Sequence, residues 1–259
     1  MKKKLGSIIT AVMMLAVMFL VAGCGSGEEA KDPGAEKTPL KVGMEATFAP
    51  FEYKDDAGNI TGFDADLMTA IGEEMGYEVE LSHVEWDGLD LALNSGQLDV
   101  VISAVTITEE RKLESDFSEP YFEATQIIAV RSDSPVQGLD DIKDLKVGVQ
   151  INTTGHYVCE NIGIPDEMII KYPTVPDAMM NLGNGTIDAV VADEPVLLNY
   201  LVNNPEMDFK TVTDDFEKEY YGIKVKKGNT ELLDQINAGL KAIQENGKYD
   251  EVYNKYFKK

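Results

Sequence analysis

Apolar residues divide the chain into two unlike parts. Residues 8–22 form an apolar run broken by Thr10, preceded by Lys2, Lys3 and Lys4 and followed by no acid until Glu28. From Leu40 onward, short apolar runs alternate with stretches of helical period, the pattern of an α/β chain. Residues 40–45 (LKVGME) predict a strand. Residues 61–75 predict a helix: Leu67 and Ile71 share a face, Asp64 is placed to cap its start, and Gly76 ends it. Residues 86–94 predict a second helix, with Leu89 and Leu93 four apart and Gly96 just beyond. Residues 98–103 predict a strand buried on both faces.

The same order recurs further on. LKVGVQ at 145–150 repeats LKVGME at 40–45, and LGNGTIDAVV at 182–191 matches LNSGQLDVVI at 93–102. The offsets are 105 and 89 residues, and hairpin-like sequence near 51–62, with turn residues Asp56-Ala57-Gly58-Asn59, accounts for the difference. Two similar α/β lobes would face each other across a cleft; chance likeness of two common βα units is the competing reading. In open parallel sheets ligands sit at the carboxyl ends of strands. Those ends fall at Glu45 and Ser103-Ala104 in one lobe and at Gln150 and Ala192-Asp193 in the other.

Charge and cysteine content narrow the function. The chain of 259 residues has 46 acids, 23 bases and a net charge of −23. That balance argues against nucleic acid as a partner, because a polyanion is repelled. The basic start and apolar run read as an export signal, too short for a comfortable membrane span of about 20 residues. Val21-Ala22-Gly23-Cys24 resembles the bacterial lipobox, whose cysteine is lipidated and becomes the first residue. An ordinary signal peptide with an incidental cysteine and a transmembrane anchor are the alternatives. Removing residues 1–23 takes away three lysines and no acid, leaving 20 bases against 46 acids and a net charge of −26. With Cys24 lipidated, Cys159 has no partner within the chain and reads as buried apolar filler. Residues 24–39, rich in Gly, Pro and charge, read as a flexible tether. Two histidines leave little for a His-rich metal site, and no P-loop, GxSxG, HExxH or paired-cysteine signature occurs.

Several stretches are identifiable by family: GMEATFAPFEY and GNITGFDADL, then WDGLDLALNSGQLDVVISAVTITEERKLESDFSEPY, GVQINTTG, ADEP, and the run from YGIKVKKGN to NKYF. Over residues 40–257 the chain resembles the polar amino-acid solute-binding proteins of bacterial ABC importers. The resemblance implies an α/β, two-lobed type II periplasmic-binding-protein fold with a ligand cleft between the lobes. Two crossover strands are expected near 124–131 and 220–226. The implied organisation is a signal peptide at 1–23, a tether at 24–39, a discontinuous lobe 1 at 40–126 and 224–259, and lobe 2 at 127–223. C-terminal helices at 231–246 and 249–256 return to lobe 1.

The resemblance also assigns roles. Arg111, on residues alone either a solvated helix arginine or a carboxylate clamp, would grip the ligand carboxylate with two hydrogen bonds. Thr153 and Thr154, either simple N-caps or an anion site at a helix start, would close on the same carboxylate. Relatives usually have Gly where Asn152 stands. Asp193, either a helix cap or a cleft residue, would take the ammonium, with Ser103, Thr106 and the backbone of Ala104 completing these contacts. Phe48 and Trp86 would flank the ligand side chain, whereas Phe51 reads as core. Glu45, where many relatives have Asp, can meet a cationic tip, so arginine or lysine is favoured over glutamine, histidine or cystine. Gly62, Phe63, Asp64 and Asp66 read as structural, and the acids of 109–119 as solvated surface.

The expected function is the extracytoplasmic binding component of an ABC importer, a monomer held at the membrane by lipid. It would close on an amino acid and deliver it to a permease, with no cofactor, metal or catalysis of its own. The alternatives are a cyclohexadienyl or arogenate dehydratase-like enzyme on the same scaffold, and a sensor domain.

Overall fold

A computed structural model describes residues 37–258; the export signal and Cys24 lie outside the described residues. The chain begins with β1 (Thr38–Met44), a small antiparallel meander of β2 (Thr47–Phe48), β3 (Glu52–Lys54) and β4 (Ile60–Thr61), then α1 (Phe63–Met75) and β5 (Tyr77–His83). A 3₁₀ turn at Trp86–Gly88 leads into α2 (Leu89–Ser95), β6 (Val100–Val101), α3 (Glu109–Glu114) and β7 (Ser115–Phe117). The long strand β8 (Phe122–Arg131) carries the chain into the second lobe. There β9 (Val147–Gln150), α4 (Thr154–Asn161), β10 (Ile169–Tyr172), α5 (Val175–Gly183), β11 (Ala189–Asp193), α6 (Glu194–Asn203) and β12 (Phe209–Val212) follow. Finally β13 (Lys218–Tyr221), β14 (Lys224–Lys226), α7 (Thr230–Glu245) and α8 (Lys248–Phe257) bring it back.

Two sheets result, ordered β5-β1-β6-β14-β7 and β10-β9-β11-β8-β12. The strand β8 belongs to both lobes' surroundings. Its first residues, 122–125, pair with β13, and its remainder pairs with β11 and β12. The chain therefore passes between the lobes along the β8–β13 ribbon, residues 122–125 and 218–221, which overlaps the expected crossovers at 124–131 and 220–226 only at 124–125 and 220–221.

The internal repeat is visible in the hydrogen bonds. In the first lobe Val42 and Gly43 face Val100 and Val101; in the second, Val147 and Gly148 face Ala189 and Val190. These are the echoed positions, in the same register. The Lys41 amide donates to the Asp99 carboxylate at 3.0 Å, and the Lys146 amide to Asp188 at 3.1 Å. The glycines repeat for the same reason. A Cβ on Gly43 would lie 2.2 Å from Leu98, and one on Gly148 would lie 2.4 Å from Ile187, its counterpart.

Three local expectations change. The strand at 98–103 contracts to β6, because Asp99 is engaged with Lys41 and the chain turns into a left-handed residue at Ala104. The helix at 86–94 splits into the 3₁₀ turn and α2. Asp64 does not cap α1. The N-cap is Gly62, and the first free amides, of Phe63 and Asp64, already reach the Pro50 and Phe51 carbonyls. The buried Asp64 carboxylate instead accepts from the Ala104 amide at 2.8 Å and the Tyr121 hydroxyl at 2.7 Å.

An aromatic cluster locks α8 onto the first lobe. Phe63 packs edge-on against Phe257 at 5.2 Å, and Phe122 lies 5.0 Å from Phe257 and 4.9 Å from Phe51. Phe63 is fully buried, whereas Leu113 is 78% exposed. Phe63→Ala should therefore destabilise the protein by about 3–5 kcal/mol. Leu113→Ala should leave stability within about 0.5 kcal/mol. Chemical denaturation of both variants checks the contrast.

Candidate functional site

The carboxyl ends of four strands deliver side chains to one place. β1 ends into Glu45, β6 into Ser103-Ala104 and β9 in Gln150, while β11 ends in Asp193. They border a cleft between the two sheets. All ten residues selected from the sequence line it: Glu45, Phe48, Trp86, Ser103, Ala104, Thr106, Arg111, Thr153, Thr154 and Asp193. Glu52 and Gln150 line it as well.

The backbone is bent to reach this point. Ala104 (φ 46°) and Asn152 (φ 59°) are the non-glycine residues with left-handed backbone among those described. They occur just past a strand end, one in each lobe. Such conformations are strained for most side chains and concentrate at functional sites. Asn tolerates them nearly as Gly does.

Arg111 is held by carbonyls. Thr108 caps α3 by accepting from the Arg111 amide at 3.2 Å. Its guanidinium donates to the Thr106 carbonyl at 2.9 Å and to the Asn152 carbonyl at 3.1 Å, and lies 5.5 Å from the centre of the Trp86 ring. Neutral carbonyls orient this cation without neutralising it. The hydroxyl of Thr153 does cap α4, accepting from the His156 amide and donating to the Gln150 carbonyl at 2.8 Å. The Asp193 side chain makes no cap for α6; it is held by Gln126 at 2.6 Å and by the Tyr221 hydroxyl.

Glu219, on the crossover strand β13, ties the halves together. It accepts from the Thr106 hydroxyl at 2.8 Å and the Thr154 hydroxyl at 2.7 Å, one from each lobe. Gln150 reaches the other way, donating to Glu45 at 3.4 Å. Gln126, Glu219 and Tyr221 were absent from the sequence-derived set, because no local motif marks a crossover strand as cleft-forming. Gln150, the echo of Glu45, is placed here by the strand-end alternation, although the family resemblance assigns it no role.

The electrostatics are lopsided. Glu45, Glu52 and Asp193 line the cleft with Arg111 as the sole cationic side chain among the lining residues. Burial pushes the Glu45 carboxyl up to about 7, against opposing hydrogen bonds from Thr47 and Gln150. Burial, then the neighbouring Glu219 carboxylate, pushes Asp193 up to about 7. Burial and the nearby Asp64 raise Glu52 well above its ordinary value. Elsewhere, burial raises the free Cys159 thiol to about 12, which leaves it inert as a nucleophile.

A carboxyl whose pKa rises on folding favours the native state below its unfolded value and loses that advantage as pH climbs through the folded one. For Glu45 the window runs from 4.5 to about 7. Glu45→Gln, which removes the desolvated charge, should therefore leave stability unchanged at pH 4. At pH 8 it should raise stability by up to about 3 kcal/mol. Urea unfolding at the two pH values checks this, and equal effects at both would contradict it.

Comparison with known proteins agrees with this geometry. A family model described as bacterial extracellular solute-binding proteins, family 3, matches residues 40–259. The chain is 41% identical over 256 residues to a protein of Neisseria gonorrhoeae named "Probable histidine-binding protein", covering 97% of this chain and 95% of that one. It is 31% identical to the arginine-binding extracellular protein ArtP of Bacillus subtilis, covering 99% of this chain and 98% of its relative. Among solved structures, the arginine-, lysine-, histidine-binding protein ArtJ from Geobacillus stearothermophilus superposes with a TM-score of 0.83 at 42% identity, covering 86% of this chain and 96% of ArtJ. With its two α/β lobes, its strand-end cleft and these matches over nearly its whole described length, the chain belongs to the bacterial extracellular solute-binding proteins, family 3.

Proposed function

We propose that this protein is the extracytoplasmic binding component of an ABC importer and that its ligand is a cationic amino acid, arginine or lysine. The observation that carries the ligand class is the excess of buried carboxylates over cations in the cleft. A buried charge without a partner is costly, so the carboxylates favour a ligand that brings positive charge at both ends. Several relatives are named for binding arginine, lysine or histidine, which supports the same class, although others are named for cystine. All are named as binding proteins, which supports a carrier rather than a dehydratase.

In this reading Arg111 and the start of α4, beginning at Thr154, take the ligand carboxylate, and Asp193 takes its ammonium. The hydroxyl protons of Thr106 and Thr154 already point to Glu219. Their lone pairs therefore suit the ammonium, which moves Thr154's hydroxyl away from the carboxylate role. Ser103 and the Ala104 backbone support the ammonium side, Phe48 and Trp86 flank the stem, and Glu45 meets the cationic tip. Lobe 1 (40–126 and 224–259) and lobe 2 (127–223) would swing about the β8–β13 ribbon. Only the closed form joins both half-sites, so the ligand favours it. The closed protein would then dock on a permease driven by a partner ATPase.

Calorimetric titration of the purified protein at pH 7.5 should show L-arginine or L-lysine binding at least about tenfold more tightly than L-glutamine. Arg111→Ala should lose measurable binding with an unchanged unfolding transition. Tighter binding of neutral amino acids than of either cation would sink the ligand assignment.

The chain would reach its place by export and lipidation at Cys24, with residues 24–39 as tether. Cys24→Ala should move the protein from the membrane fraction to the soluble extracytoplasmic fraction, and unchanged fractionation would refute the anchor.

A further inference from the structure

Asn152 makes three hydrogen bonds with three different groups. Its side-chain amide donates to the Asp87 carboxylate at 3.0 Å. Its carbonyl accepts from Arg111 at 3.1 Å, and its backbone amide donates to Nδ1 of the buried His156 at 3.3 Å. The first two cross the cleft: Asp87 and Arg111 belong to the first lobe, while Asn152 follows β9 of the second. The third fastens the crossing residue to its own helix, α4. Neither Asn152 nor Asp87 lines the cleft that Arg111 and Asp193 share.

The residue type matters here. The left-handed backbone at 152 favours Gly, Asn and Asp over most other residues. Gly has no side chain to cross with. Asp would set one carboxylate against another. Asn combines a preference for that backbone with an N–H donor for Asp87, and the carboxylate, which can only accept, fixes which end of the amide faces it.

We infer that Asn152 and Asp87 form a latch between the lobes, separate from the ligand contacts, that lengthens the life of the closed form. The pair can meet only when the lobes are together, so its free energy is added to the closed state alone and shifts the open–closed equilibrium by that differential amount. The inference rests on the hinge-closure reading above, and it assigns a positioning role to a side chain that contacts no ligand. Both partners are exposed, so the effect is modest rather than decisive.

The test is a double-mutant cycle with L-arginine as the probe. Asn152→Gly keeps the left-handed backbone and removes the bridge; Asp87→Ala removes the other half without touching that backbone. Trp86, the sole tryptophan of the chain, adjoins Asp87 and reports closure by fluorescence. Each single variant should raise Kd about two- to fivefold through a faster dissociation rate. The double variant should be no weaker than either single one. Asp87→Asn, which keeps an acceptor oxygen, should restore most of the loss. Unchanged dissociation in Asn152→Gly, or additive effects in the double variant, would overturn the latch. If the parent protein binds no arginine, the ligand assignment fails instead. The latch is then read from inter-lobe distances between one nitroxide on each lobe of the ligand-free protein. A short-distance population that shrinks in Asn152→Gly supports it. A distribution that does not change, or that holds no such population in the parent, overturns it.

Discussion

Three carboxyl groups brought into one cleft beside a single guanidinium set the terms for everything around them. Glu45, Glu52 and Asp193 have little water, and Arg111 is bound to carbonyls rather than to any of them. Removing a carboxylate from water without a cation is unfavourable, and the groups respond by holding their protons more strongly. The remaining polar groups limit the damage. Ser103 donates to Glu52 at 2.8 Å, Gln126 and Tyr221 hold Asp193, and Thr47 and Gln150 hold Glu45. Such a site is destabilising on its own and would become favourable when positive charge arrives, as the proposed cationic ligand requires.

The proposed closure would need a connection that bends without breaking. The β8–β13 ribbon meets this need because one continuous strand, β8, pairs with the return strand at one end and with the second sheet at the other. The cleft groups are attached to the same ribbon. Gln126 lies on β8, and Glu219 and Tyr221 lie on β13. Movement at the crossover in the proposed closure would shift the groups that hold Asp193, Thr106 and Thr154, linking binding chemistry to hinge geometry.

Much of the fold was legible because it depends on local rules applied twice. The echoed LKVG segments carry a strand and a glycine that clears room for Leu98 in one lobe and Ile187 in the other. The strand ends followed from that alternation, and so did the nomination of Glu45, Ser103, Ala104, Gln150 and Asp193 as neighbours. Assigning Arg111, Phe48 and Trp86 to the same cleft needed the family resemblance, since each also reads as an ordinary surface or core residue. The misreadings were local in another sense. Asp64 matches a helix cap in sequence, yet two backbone carbonyls from the preceding loop already satisfy the helix start, and its carboxylate is free to hold Ala104 from a distant strand.

The sequence alone determined the alternation of strands and helices, the two-fold repeat and the chemical types present, because periodicity, turn residues and charge act over a few residues at a time. Tertiary structure decided which of those residues face one another. Glu219 bridges Thr106 and Thr154 across separations of 113 and 65 residues, and Asn152 meets Asp87 across 65. No local pattern encodes such pairings; they exist because two crossover strands fold one lobe against the other and bring the strand ends within hydrogen-bonding distance.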